Sequence, residues 1–371
     1  MQSGYSAYCS IWALRLALVS LAGCMGSHQS QLAPEAAPSA DHYILLQTPE
    51  LMRATDAALR RIGLTPADAP PIVSATADQA VEALDFAGVR YGLALSGGYS
   101  WGSRERSSVS VPSGDSVGVQ SLDEGKRVRA ENLFVAEQVA RFPDRLKGAC
   151  SANPLADYAL EEVRHCGADA RIAAFRLHLP GSGVDLTDRA HVARLRAVFE
   201  ALEETGLVAV VTLRYRGEGY GAEDAEVFIQ DVLAAAPRVP VQIAHMAGWG
   251  RYDAETDSAM RAFVDAFESG TLDPDRFTFD LATVVRDDPR EAGADPERAR
   301  QFAEWNARLA VRIRQVGLER VVFGSDWPLF PPVGEPRARI ALYREWLEER
   351  LPLKPQELDR IFANLGPVLL R

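Results

Sequence analysis

Residues 320–332 read RVVFGSDWPLFPP, and the hexapeptide FGSDWP at 323–328 decides the fold. An apolar run of strand type, 320–323, delivers Asp326 into a turn bounded by Gly324, Ser325 and Pro328, as a strand end presents a carboxylate. Back toward the N-terminus the same unit recurs: a short β-branched run, a loop, then an amphipathic helix. Strands are expected at 42–46, 89–95, 146–150, 172–178, 208–213, 241–245, 277–281 and 320–323. Helical periodicity fills 77–86, 128–141, 155–165, 191–204, 224–235, 256–267, 297–316 and 336–349. Eight such units predict an α/β fold, a (β/α)8 TIM barrel. A doubly wound open sheet would carry a Gly-rich first turn, and no G-x-G-x-x-G follows a strand here.

The 371-residue chain is 47% apolar and 25% charged, a globular composition. Its formal net charge of -11 and pI near 5.2 argue against nucleic-acid partners, which reward clustered basic surface. Residues 15–24, RLALVSLAGC, set a positive charge before a short apolar core and small residues. That run is shorter than the roughly 20 residues a membrane span needs, so residues 1–24 read as a signal peptide. LAGC at 21–24 is similar to a bacterial lipobox with Cys24 as the lipidated residue; an ordinary secretory signal stays open. Residues 25–40, rich in Ser, Gln, Ala and Pro, read as a flexible tether, and 41–371 as the folded body. The expected location is the bacterial cell envelope, lipid-anchored on the periplasmic side. The expected partners are a small-molecule substrate and the membrane through that anchor.

In a barrel the chemistry sits at the C-terminal ends of the strands. Those ends offer Arg176 and His178 on strand four, Thr212 and Arg214 on strand five, His245 on strand six, Asp280 on strand seven and Asp326 after strand eight, with His42 near strand one. Period-two alternation puts Arg176 with His178, and Thr212 with Arg214, on the face toward the mouth. Arg176 and Arg214 would form a fork for a carboxylate or phosphate, or close the barrel top in ion pairs with Asp185, Glu218 or Asp280. The long loop after strand two, 96–125, reads either as a substrate-shaping lid with Tyr99, Trp101 and Arg104 as contacts or as a surface insertion. Cys150 and Cys166 are expected as two buried thiols. One ends a strand and the other ends the descending helix, at about 1.5 Å per residue, which separates their Cα atoms beyond the roughly 7 Å a disulfide spans.

Four stretches resemble the amidohydrolase-related family of metal-dependent TIM-barrel enzymes, the amidohydrolase-2 type that holds hydrolases and carboxylate-removing lyases. They are RVVFGSDWP (320–328), VPVQIAHMAGWG (239–250), AENLFVAEQVARFPDRLKGACSANP (130–154) and IFANLGPVLLR (361–371). The resemblance implies a divalent metal, zinc or manganese. Its ligands would be a His-x-His on strand one, a histidine on strand five, often one on strand six, and the aspartate after strand eight, which takes a proton from metal-activated water. Residue by residue, His245 matches the strand-six histidine and Asp326 the strand-eight aspartate. Tyr43 and Leu45 fall on the His-x-His positions and Thr212 on that of strand five, a departure from the pattern. His178, His245 and Asp326 remain as candidate ligands for one metal, and Asp326 and His245 as candidate catalytic residues. The implied function is hydrolysis or non-oxidative decarboxylation of a small anionic organic substrate. The alternative is a catalytically inactive barrel that binds a small carboxylate or phosphate at Arg176 and Arg214.

Overall fold

Eight short β-rich runs pair in chain order, each parallel to the next: β1 Ala40–Leu46, β2 Tyr91–Ser96, β3 Leu146–Ser151, β4 Ile172–His178, β5 Val208–Thr212, β6 Val241–Ile243, β7 Phe277–Asp280 and β8 Val321–Val322. The computed structural model describes residues 37–61, 71–102, 117–215, 218–250, 252–285 and 295–370; Cys24, the signal segment and Arg104 lie outside the described residues. The ends of the sheet meet through His42 N donating to Phe323 O at 2.9 Å, Asp326 N to Tyr43 O at 2.9 Å and Leu45 N to Trp327 O at 2.7 Å. The chain is a (β/α)8 TIM barrel, and the FGSDWP segment is the seam that closes it on β1.

Alternation sorts the side chains into two layers. Tyr43, Leu45, Leu93, Leu95, Val208 and Val210 fill the inside of the barrel, while Ile44, Leu46, Ala94, Phe175, Ala209 and Val211 face the helices. Such two-sided burial is what near-continuous apolar strands require. At the end where the strands begin, the short helix Gly366–Leu369 sends Val368 into the inner layer. There His42 places its ring nitrogens 3.1 Å from Phe323 O and 2.7 Å from Leu365 O, a structural post far from the mouth.

Element boundaries differ from expectation where packing decides them. Ser39 and Ala40, expected in the tether, belong to the barrel: Ser39 N donates to Phe362 O and Ala40 pairs with Tyr91. The helix after β2 runs Val117–Val139, so it takes up the last part of the expected 96–125 loop. The helix Pro49–Arg61 was not expected; Thr48 followed by Pro49 and Glu50 is the start signal that marks it.

Cys150 and Cys166 correct the reading of two free thiols: they form a disulfide, with Cα atoms 6.4 Å apart. The expectation started the helix after β3 level with Cys150. The helix instead begins at Ala159, after the connection 152–158, and its last turn comes level with Cys150. The disulfide closes a loop of sequence separation 16, for which chain entropy gives about 3 kcal/mol. Reduction, or the double change Cys150→Ser and Cys166→Ser, is therefore expected to lower the unfolding free energy by about that much. Denaturant melts with and without reductant check this, and coincident curves would refute it.

Candidate active site

β4 keeps its alternation to the end, so Arg176 and His178 follow Ala174 of the inner layer up to the mouth. Arg176 is only 3% exposed. Its Nη2 donates to Tyr43 Oη at 2.6 Å and its Nη1 to Ser96 O at 3.4 Å, while its Nε–H has no partner. The guanidinium carbon lies 5.0 Å from the centres of both the Tyr43 and Tyr99 rings. Aromatic faces thus hold a charge whose hydrogen-bond partners are a phenol and a carbonyl.

His178 stacks on Tyr99, with ring centres 4.6 Å apart, and meets the edge of Trp249 at 5.5 Å. Its Nδ1 accepts a hydrogen bond from Gly181 N at 2.9 Å, which puts the ring proton on Nε2. Burial, then Arg176 and His245, push its pKa well below the ordinary value, so it is a neutral donor at pH 7. A side chain at Gly181 would strike both the Tyr99 ring and His178.

His245 lies beyond the last residue of β6 and reaches the mouth through a left-handed turn: φ is 56° at His245, 50° at Met246 and 63° at Ala247. The Asp280 carboxylate holds that turn, accepting from His245 N at 2.9 Å and from Ala282 N at 3.1 Å, and Gln242 Nε2 donates to its other oxygen at 2.8 Å. Nδ1 of His245 lies 2.8 Å from Ala282 O, an acceptor, so Nδ1 carries the proton and Nε2 the lone pair. Burial is the main cause that lowers its pKa to about 4, aided by Arg176. His178 and His245 are thus opposite tautomers, one with a donor and the other with an acceptor at Nε2.

These groups line a cavity of about 350 Å³ at the mouth, together with Tyr43, Thr283 and Asp326 on the polar side. Leu45, Leu59, Trp249, Leu329 and Phe330 supply apolar wall. Of the expected contacts, Tyr99 lines the cavity. Trp101 does not; it packs under the Arg127 guanidinium at 5.0 Å. Arg214 does not join Arg176 either. β5 stops at Thr212, alternation lapses there, and Arg214 Nη1 donates to Asp253 Oδ2 at 2.6 Å. The residues that the sequence reading missed are Thr55 and Leu59, from the unexpected helix, and Thr283, Trp249 and Phe330, from loops without strand periodicity.

The donor set does not fit a divalent metal. His178, His245 and Asp326 share the cavity, yet among the described residues no three His, Cys, Asp or Glu side chains gather closely enough to hold an ion. Tyr43 Oη lies 3.2 Å from Thr212 Oγ1, so two of the departed ligand positions bond to each other, and Leu45 offers no lone pair. The Arg176 charge already acts on His178, His245 and Asp326.

The solved structures that the chain is similar to include 5-carboxyvanillate decarboxylase from Sphingomonas paucimobilis, at 17% identity and TM-score 0.52 over 88% of this chain and 96% of that one. A dihydroxybenzoic acid decarboxylase from a Polaromonas species, solved with manganese and the inhibitor 2-nitroresorcinol, aligns at 14% identity and TM-score 0.55 over 88% of this chain and 95% of that one. An amidohydrolase from Burkholderia multivorans aligns at 15% identity and TM-score 0.51 over 88% and 99%. At such identities the likeness is one of fold. No curated protein sequence matches the chain. The amidohydrolase family profile matches residues 115–364, more than half of the sequence. The chain therefore belongs to the amidohydrolase family.

Proposed function

We propose that the barrel is an enzyme that hydrolyses or decarboxylates a small anionic organic acid in the cavity at its mouth. One observation carries this reading. His245, Thr283 and Asp326 have φ of 56°, 54° and 63°, and all three line that cavity. Each left-handed residue without glycine costs about 1–2 kcal/mol, and strain of this kind gathers at sites where geometry serves chemistry. Among the described residues the other non-glycine residues of positive φ, Met246 and Ala247, continue the turn that delivers His245. A barrel kept only for its fold has no use for such a cost at the mouth.

The chemistry follows from the groups. Arg176 supplies fixed positive charge for the acid, and the Nε2–H of His178 supplies a neutral donor. His245 and the Asp326 carboxylate supply the base that hydrolysis needs to take a proton from water. In decarboxylation the same pair relays the proton that replaces carbon dioxide on the substrate carbon. The neighbours in fold that act on hydroxylated benzoic acids favour a planar acid for this apolar wall.

The test is turnover of a panel of aromatic and aliphatic carboxylic acids and their lactones, followed by product analysis and carbon dioxide release, with Asp326→Asn as comparison. Turnover reduced about 100-fold or more in the variant supports the assignment. Binding of acids without any turnover would replace it with the inactive carboxylate-binding barrel.

A further inference from the structure

We propose that the substrate's carboxylate binds directly to Arg176, and that this guanidinium serves in the place of the family's divalent metal, so that the protein works without a metal ion. The inference deepens the reading above and rests on it for the cavity being the active site.

Three observations converge. The positions that should supply metal ligands are occupied by groups that satisfy one another: Tyr43 Oη lies 2.6 Å from Arg176 Nη2 and 3.2 Å from Thr212 Oγ1, while Leu45 adds only apolar wall. A guanidinium is never neutral in a protein, so a second cation entering beside it would meet a fixed, buried positive charge. Second, that charge is 3% exposed and has a phenol and a carbonyl as its partners, with Nε–H unpartnered. Asp326 is the acidic group that acts on this charge from the same cavity, and a carboxylate that accepts two N–H bonds is the group that matches guanidinium geometry. Third, the Tyr43 and Tyr99 rings stand 5.0 Å from the guanidinium carbon. Two of its N–H bonds go to Tyr43 Oη and Ser96 O, and the second N–H of each of Nη1 and Nη2 is left for an anion in the cavity that Arg176 lines. In the same cavity Leu45, Leu59, Trp249 and Phe330 take an apolar body, and about 350 Å³ is room for one substituted ring.

Benzoate is a suitable probe, a planar monocarboxylate with an apolar ring. Calorimetric titration of the purified full chain is run before and after dialysis against a chelator, beside elemental analysis of the same samples. The expected result is metal far below one ion per chain, and benzoate affinity unchanged by the chelator or by added manganese. Arg176→Met should weaken benzoate at least tenfold, the share of one charge-assisted hydrogen bond. It should change the melting temperature of the unliganded protein little, because relief of the charge's burial offsets the lost hydrogen bonds to Tyr43 Oη and Ser96 O and the lost attraction to Asp326. An arginine kept for structure would show the reverse, a lower melting temperature with benzoate binding intact.

One tightly held metal per chain, whose removal abolishes benzoate binding, overturns the proposal. So does benzoate affinity that survives Arg176→Met, or wild-type protein that binds no benzoate at millimolar concentration. Turnover of the acid panel with metal-dependent binding leaves the enzyme reading standing and removes this one. Metal-independent benzoate binding without turnover does the opposite.

Discussion

His245→Gln is expected to lower kcat on whichever acid the enzyme turns over by about 100- to 10,000-fold, the range of a lost general acid or base, with KM shifted by less than about tenfold. The imidazole is committed on one side: Nδ1–H points at Ala282 O, 2.8 Å away, so the lone pair sits at Nε2. Burial, with help from Arg176, brings its pKa down to about 4, so at pH 7 the ring is neutral and able to take a proton. Below that value the ring is protonated and the base is lost. Wild-type kcat/KM, which reports the groups of the free enzyme, should therefore fall on the acid side with a midpoint near pH 4, and this limb should be missing in the variant. The fold should survive, because Asp280 holds residue 245 by its backbone N–H and not by its ring. KM is expected to change little because Arg176, the proposed anchor of the anion, is untouched. Wild-type kcat in the variant, or an unchanged acid limb, would remove His245 from the chemistry.

The sequence made the barrel legible because its signal is repeated. β4 was read as 172–178 and observed as Ile172–His178, and the parity of Arg176 and His178 was right because both lie within that ladder. The same rule failed at Arg214, two residues past the end of β5, where no strand pairing fixes which way a side chain turns. It gave the right place for His245 by a different route, since β6 ends at Ile243 and a left-handed turn does the work that strand alternation was expected to do.

The charge logic of the site was less legible. A pattern of residue types shows that Tyr43, Leu45 and Thr212 are not the expected ligands, but not that Tyr43, Thr212 and Arg176 are bonded together across the barrel, because that depends on a closure between residues 133 and 169 positions apart. The disulfide was missed for a similar reason. Its geometry depends on where the helix starts, and helix starts after irregular connections are the least determined feature of a sequence.

Asp41→Asn is expected to stabilise the protein at pH 8 by as much as roughly 4 kcal/mol and to change its stability little near pH 4. Asp41 is fully buried at the seam, where Oδ1 accepts from Tyr43 N and Ser325 N, both at 3.0 Å, and Oδ2 faces the Ser325 hydroxyl. Burial pushes its pKa up to about 7 against those hydrogen bonds. Unfolded, the carboxyl ionises near 3.8. Between these values unfolding releases a proton, so the unfolded state gains as pH rises. The contribution is whole below the unfolded pKa and lost as pH passes through the folded one. Asparagine fits the same place: its oxygen can accept from the two backbone amides and its NH2 can donate to the serine oxygen. Asp280, pushed up to about 6 by burial, adds a slope of the same sign, so the variant keeps a smaller fall with pH. Asp280→Asn is the contrasting case. That carboxylate faces three donors, His245 N, Ala282 N and Gln242 Nε2, so an NH2 group there opposes an N–H and should destabilise. Urea melts of both variants from pH 4 to 8 measure the difference, and a wild-type slope that Asp41→Asn leaves unchanged would show that Asp41 is ionised in the folded barrel.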